Sequence, residues 1–333
     1  MRKYNIAVLG ATGAVGREML KVLFERRFPI QDIRALASAR SAGSHVPFGD
    51  RELIVEEATD ASFAGMDIVL GAAQADLARK FAPAIVKSGA VFIDNSSAFR
   101  MNDDVPLIVP EINALDAKKH HGIISNPNCS TIITLTAIAA LNRISPVQTL
   151  VASTYQAVSG AGAAGLAELE EQVRDYAAGK SLSIRAFPYQ IAFNVLPQIG
   201  SDSGNGYTTE EMKMQNEGRK ILHLPELRAT CTCVRVPVLR SHSISVTLVT
   251  ERKISVSEAR EAIANAPGCK LTDDLESKLY PTPLDTSDQD LVYVGRIRDD
   301  LTNANGLTLF CCGDQIRKGA ATNAVQIAEL LAE

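Results

Sequence analysis

The chain has 333 residues, is 46% hydrophobic and 22% charged, and carries a formal net charge of -4. That length accommodates two packed cores but is short for three. The acidic balance supplies no field for gripping nucleic acid, so no nucleic-acid partner is expected.

The longest apolar run, Ile132 to Leu141, is interrupted by threonines and too short to span a bilayer. The N-terminal apolar stretch reaches Gly10 too soon for a signal h-region. These patterns predict a cytoplasmic protein with no membrane partner. The six cysteines, at 129, 231, 233, 269, 311 and 312, form neither paired CxxC ligands nor a secreted framework, so reduced thiols and no metal are expected. Packing accounts for Cys231, Cys233, Cys311 and Cys312.

In chain order, Asn5 to Leu9 reads as a short strand, Gly10 to Gly16 as a glycine-rich loop and Arg17 to Arg26 as an amphipathic helix. Buried strands are predicted at 33–37, 68–71, 91–94, 107–109 and 122–125, several separated by helical stretches. This alternation specifies a Rossmann-type, doubly wound parallel sheet in an α/β protein. After a helix over 130–141 the pattern changes to longer alternating strands at 149–156, 229–237 and 243–251, which predicts an α+β domain with a largely antiparallel sheet. A surface loop is expected at 200–207. The expected division is 1–128 for nucleotide binding and 129–312 for catalysis and dimerisation. The closing segment 313–333, helical over 319–331, is expected to return to the first domain.

The motif GATGAVG, comprising Gly10, Ala11, Thr12, Gly13, Ala14, Val15 and Gly16, lies between a predicted strand and a predicted helix. There glycine permits a tight turn and lets backbone amides approach a pyrophosphate. The second predicted strand ends without the acid that would hold ribose hydroxyls in an NAD site. Ser38, Arg40 and Ser41 stand there instead, offering hydroxyls and a guanidinium to a 2′-phosphate, which favours NADP (NADPH). A solvated loop arginine is the plain alternative.

Cys129 sits in NPNCST, after a predicted strand and at the start of a predicted helix, where amides and the helix dipole favour thiolate. A lone packing cysteine would not require those turn residues before it.

NPNCST together with GATGAVG resembles the aspartate-semialdehyde dehydrogenase family, and the similarity extends from the first strand to the last helix. The resemblance implies an NADPH-dependent phosphorylating aldehyde dehydrogenase. Such an enzyme converts 4-phospho-L-aspartate through a cysteine thioester to L-aspartate 4-semialdehyde and inorganic phosphate, in biosynthesis of lysine (with diaminopimelate), threonine, methionine and isoleucine. Cys129 is then the nucleophile, Gln156 of TYQAVSGAG orients the intermediate, and His242 of CVRVPVLRSHS is the general acid and base. Arg235 of the same segment clamps the substrate α-carboxylate. Glu210 and Lys213, on one helical face of TEEMK, meet the ammonium and the phosphate, although that spacing also suits an ordinary surface ion pair. Arg100 is implied to bind phosphate and Asn128 substrate. Gly71, Ala72, Ser159, Gly160, Asn323 and Gln326 are implied to line the cofactor site, and a homodimer built through the second domain is implied as well. Two rivals are a related phosphorylating dehydrogenase, such as N-acetylglutamyl-phosphate reductase or glyceraldehyde-phosphate dehydrogenase, and a dinucleotide sensor that lost catalysis.

Overall fold

Residues Tyr4–Leu9 form β1, a strand that is apolar from Ile6 to Leu9 because both faces of its sheet are covered. In the computed structural model, which describes residues 2–332, the chain divides into two compact units, Met1–Asn128 with Gly319–Glu333 and Cys129–Lys318.

In the first unit β1 is followed by helix α1 (Ala14–Glu25), β2 (Ile30–Ala37), β3 (His45–Phe48), β4 (Arg51–Glu57) and β5 (Ile68–Gly71). Then come α2 (Ala75–Lys87), β6 (Val91–Asp94), the short α3 (Pro110–Asn113) and β7 (Ile123–Ser125). The sheet order is β3-β4-β2-β1-β5-β6-β7. All neighbours are parallel except β3 and β4. Ile6 and Val8 point into the core shared with Met19, Leu20 and Leu23 of α1 and with Val325 and Ala328. Ala7 and Leu9 point the other way, among Phe81 and Ile85 of α2. The order reverses at β1, whose C-terminal end is therefore the switch point where such sheets bind ligands.

Two expectations need correction here, and one element was not expected at all. Residues 107–109 are not a strand and make a single bridge, Leu107 to Ser125. Pro106 precedes them and Pro110 starts α3, so no ladder can extend. The β3–β4 hairpin was not foreseen, because its charge-rich sequence belongs to an exposed edge. Helix α1 starts at Ala14 rather than Arg17, directly after Gly13.

The second unit runs α4 (Cys129–Ile144), β8 (Val147–Gln156), α5 (Gly162–Ala177), α6 (Thr209–Leu222), β9 (Arg228–Arg235) and β10 (His242–Thr250). It continues through α7 (Val256–Ala264), β11 (Cys269–Leu271), the short α8 (Pro283–Thr286), β12 (Val292–Asp299) and β13 (Gly306–Gly313). Its sheet order is β11-β12-β13-β10-β8-β9. The β8–β10, β10–β13 and β12–β13 pairs are antiparallel. β8 pairs β9 in parallel, as β11 does β12. The alternating pattern of β8 and β9 had suggested antiparallel neighbours. The long connection through α5 and α6 supplies the crossover that parallel strands need.

Helix α4 is buried all round from Ser130 to Leu141, as its composition requires. It packs on α6, α7 and the second sheet. The chain closes with α9 (Thr322–Ala332), which packs on α1 and β6 within the first unit.

Candidate active site

Pro127 has no N–H to extend a ladder, and α4 begins two residues later with Cys129 as its first residue. Cys129 Sγ lies 3.5 Å from His242 Nε2. The other candidates come to this point because of strand direction. β8 and β9 run parallel and end together in the register pair Gln156–Arg235. β10 runs the opposite way and starts beside them, with Ser243 opposite Tyr155. One rim of the sheet therefore carries Gln156, Arg235 and His242.

The side chains on this rim are interlocked. Gln156 Nε2 donates to Ser130 Oγ, and to Glu210 Oε1 at 3.2 Å. Glu210 Oε2 accepts from Lys213 Nζ at 2.8 Å, one turn along α6. The pair is thus tied into the site through Gln156 rather than isolated in solvent. The N-terminus of α6 is fixed by a capping box between Thr208 and Glu211. Arg235 Nη1 donates to Ala157 O at 2.6 Å, and Ala157 N–H donates to His242 Nδ1 at 3.1 Å. A side chain at Gly160 would put its Cβ 2.7 Å from Arg235 Nη1 and 3.3 Å from His242 Cε1, so a methyl there would press on both side chains.

Burial and charge shape the chemistry. His242 is 1% exposed. Its burial, reinforced by the Arg235 guanidinium and opposed by Glu210, pushes the imidazole down to about 3. Burial also lowers Arg235, against the opposing influence of Cys129 and Glu210. Ser241, just before His242, has φ 72°, a left-handed conformation that non-glycine residues rarely adopt. Gln315 holds it: Gln315 Oε1 accepts from Ser241 N–H at 2.8 Å, while Gln315 Nε2 donates to Ser159 Oγ. Arg240 anchors the same loop through Asp314 at 2.6 Å.

The remaining candidates belong to the first unit. Gly10 has φ 88°, and a side chain on it would sit 2.8 Å from Ala72 O, so the GATGAVG loop and the Gly71–Ala72 strand end lie side by side at the switch point. A side chain on Gly16 would strike Gly10 O. Gly13 stands at the N-cap of α1 and has no side chain to cap the first-turn amides. Thr12 O accepts from Arg17 Nε, which pins the loop to its helix. Ser38 and Ser41 bracket a 3₁₀ turn after β2, with Arg40 exposed between them. Arg100 is buried and donates to Asn95 O at 2.9 Å, and Asn128 is buried at the end of this unit. The amide nitrogen of Asn323 is engaged by Ile108 O and Asn126 Oδ1, and that of Gln326 by Glu111.

Two family models match the chain: "Semialdehyde dehydrogenase, NAD binding domain" over residues 5–120, and "Semialdehyde dehydrogenase, dimerisation domain" over residues 138–318. Aspartate-semialdehyde dehydrogenase from Synechocystis sp. is 49% identical over 329 residues, covering 99% of this chain and 97% of the relative. The chain belongs to the aspartate-semialdehyde dehydrogenase family. The aspartate-semialdehyde dehydrogenase of Aquifex aeolicus is 47% identical over 98% of both chains. Aspartate semialdehyde dehydrogenase II from Vibrio cholerae, solved in complex with ASA, superposes with a TM-score of 0.97 at 40% identity, covering 100% of this chain and 99% of that one.

Against this aspartate-semialdehyde dehydrogenase frame, three participants had escaped the sequence reading. Ser130 was read as the start of a helix, yet it holds the Gln156 amide. Gln315 follows a strand in CCGDQ and carries no motif that marks it. The Ala157 N–H is a backbone group, which no residue pattern can single out.

Proposed function

We propose that this chain is the NADPH-dependent aspartate-semialdehyde dehydrogenase its family membership implies, reducing 4-phospho-L-aspartate to L-aspartate 4-semialdehyde with release of inorganic phosphate. The observation that carries the reading is the thiol of Cys129 facing His242 at the head of α4, with Gln156 and Arg235 on the same rim. Cys129 attacks the acyl carbon and forms the thioester. Gln156, held by Ser130, orients the acyl group. Arg235 supplies the planar fork for the α-carboxylate, Glu210 meets the ammonium, and Lys213 with Arg100 receives phosphate, next to Asn128.

The dinucleotide is held by residues 10–16, Gly71, Ala72, Ser159, Gly160, Asn323 and Gln326. A bound reduced nicotinamide supplies the hydride pair. Ser38, Arg40 and Ser41, in a position without a carboxylate, favour the 2′-phosphate of NADP. The active form is a homodimer in the cytoplasm, joined through the second unit.

The test is phosphate-dependent NADP reduction with L-aspartate semialdehyde, with Cys129→Ala and Cys129→Ser assayed beside the wild type. Both variants should lose at least about a thousandfold in turnover while NADPH affinity stays within a factor of about two. Near-wild-type turnover of either would remove Cys129 from the reaction, and preference for glyceraldehyde 3-phosphate would point to the related dehydrogenases instead.

A further inference from the structure

Three asparagine side chains of the first unit are hydrogen-bonded end to end, and the direction of that relay follows from its backbone partners. Asn323 is fully buried and lies 2.9 Å from Ile108 O, which can only accept, so the side-chain atom there is Nδ2. The same nitrogen is 2.6 Å from the side chain of Asn126, so the atom it meets is Oδ1. Asn126, also fully buried, must then turn its Nδ2 the other way. There it meets Ala320 O at 3.1 Å, a second carbonyl that calls for nitrogen independently, and the side chain of Asn95 at 2.6 Å. The Asn95 atom facing Asn126 is therefore Oδ1. Two backbone carbonyls at separate points thus fix three amide orientations that side-chain shape alone leaves open.

Asn95 is the half-buried end of the relay, and its other polar atoms are spoken for. Its N–H donates to Gly71 O at 3.0 Å, and its carbonyl accepts from Arg100 Nη2 at 2.9 Å. Its Oδ1 accepts from Asn126. Nδ2 alone has no partner among the described residues, and it sits on the branch of the amide turned away from Asn126. An amide nitrogen donates and does not accept, so what it can recognise is an acceptor oxygen on a ligand.

The sheet order says which ligand oxygen that is. Asn95 directly follows β6 and is bonded to Gly71 at the end of β5, so it stands on the C-terminal rim where such sheets bind dinucleotides. In the order β3-β4-β2-β1-β5-β6-β7 the turn carrying Ser38, Arg40 and Ser41 follows β2, on one side of the switch point, and Asn95 lies on the other. A dinucleotide laid across that point with its 2′-phosphate at the turn brings its nicotinamide half to the ends of β5 and β6. We propose that Asn95 Nδ2 donates a hydrogen bond to an oxygen of the nicotinamide nucleoside, a ribose hydroxyl or the carboxamide carbonyl, and that Asn126 is the positioning residue that keeps this donor outward. The inference rests on the NADPH reading above and adds residues 95 and 126 to that site. Asn323 serves the same end by fixing Asn126.

The experiment titrates NADPH, and separately adenosine 2′,5′-bisphosphate, into the purified full-length protein by calorimetry. Asn95→Asp has the same shape and still accepts from Asn126, but presents oxygen where the donor stood. NADPH affinity should fall about tenfold or more, while the bisphosphate, which lacks the nicotinamide half, stays within a factor of about two. In Asn126→Asp the residue can no longer donate, so Asn95 turns its nitrogen inward, and NADPH should weaken selectively although Asn95 itself is unchanged. Unaltered NADPH affinity in either variant overturns the proposal, as does an equal loss for both ligands. A raised KM for phosphate with NADPH affinity intact overturns it in favour of a phosphate contact. A crystal structure of the wild-type NADPH complex decides the matter without any variant: Nδ2 of Asn95 should lie about 3 Å from a nicotinamide-nucleoside oxygen, and a separation beyond about 4 Å overturns the assignment. Failure of the wild type to bind NADPH at all would reject the cofactor reading instead.

Discussion

A buried neutral imidazole gives the protein a definite acid response. The unfolded chain takes up a proton on His242 near its ordinary value of 6.5, whereas the folded protein does so only near 3. Above pH 6.5 both states are neutral there and the residue contributes no pH dependence. Below it the unfolded state binds more protons, so stability falls with pH by up to about 1.4 kcal/mol per unit until about pH 3. Urea unfolding of wild type and His242→Gln at pH 7.5 and 5 should show the variant losing less stability on acidification. Equal losses would mean that the folded imidazole titrates normally. Gly160 allows a second test at this scale. In Gly160→Ala the new methyl would press on Arg235 Nη1 and the His242 ring, so KM for the semialdehyde should rise about tenfold while the thermal midpoint moves little. An unchanged KM would show that the rim can yield.

At the scale of elements, the β1–loop–α1 segment carries the cofactor prediction. Gly16→Ala drives a methyl into Gly10 O and should weaken NADPH binding by about tenfold or more in a calorimetric titration. Unaltered affinity would exclude this loop as the pyrophosphate cradle. This segment was legible in sequence because its strand, glycines and helix are consecutive, and Cys129 was legible because its turn and helix are local. What could not be read was pairing. Nothing in Thr149 to Gln156 or in 229–237 says that the two strands run parallel, since that depends on the crossover through α5 and α6. The β3–β4 hairpin escaped because Arg51, Glu52, Glu56 and Glu57 dilute its apolar pattern at an exposed edge. Gln156, Arg235 and His242 gained their roles from resemblance, and their common rim follows from register that no single segment encodes. Ser130 and Gln315 went unnoticed for the same reason, as their partners lie 26 and 156 residues away.

For the whole molecule, the second sheet leaves part of one face uncovered among the described residues. Val151 is 44% and Tyr155 40% exposed, with the Tyr155 ring centroid 6.4 Å from that of Phe310. Exposed apolar residues on a sheet face suit a twofold partner, and the "dimerisation domain" model spans this region. Sedimentation should therefore give a dimer, and Val151→Glu should shift it toward monomer. A monomeric wild type would reject this assembly. The cysteines have a use at this scale too. Cys231, Cys233, Cys269, Cys311 and Cys312 are all buried, and only Cys129 is partly accessible. A mild alkylating reagent applied to the native protein should attach once per chain, so intact-mass measurement of the adduct would count competent active centres in any preparation.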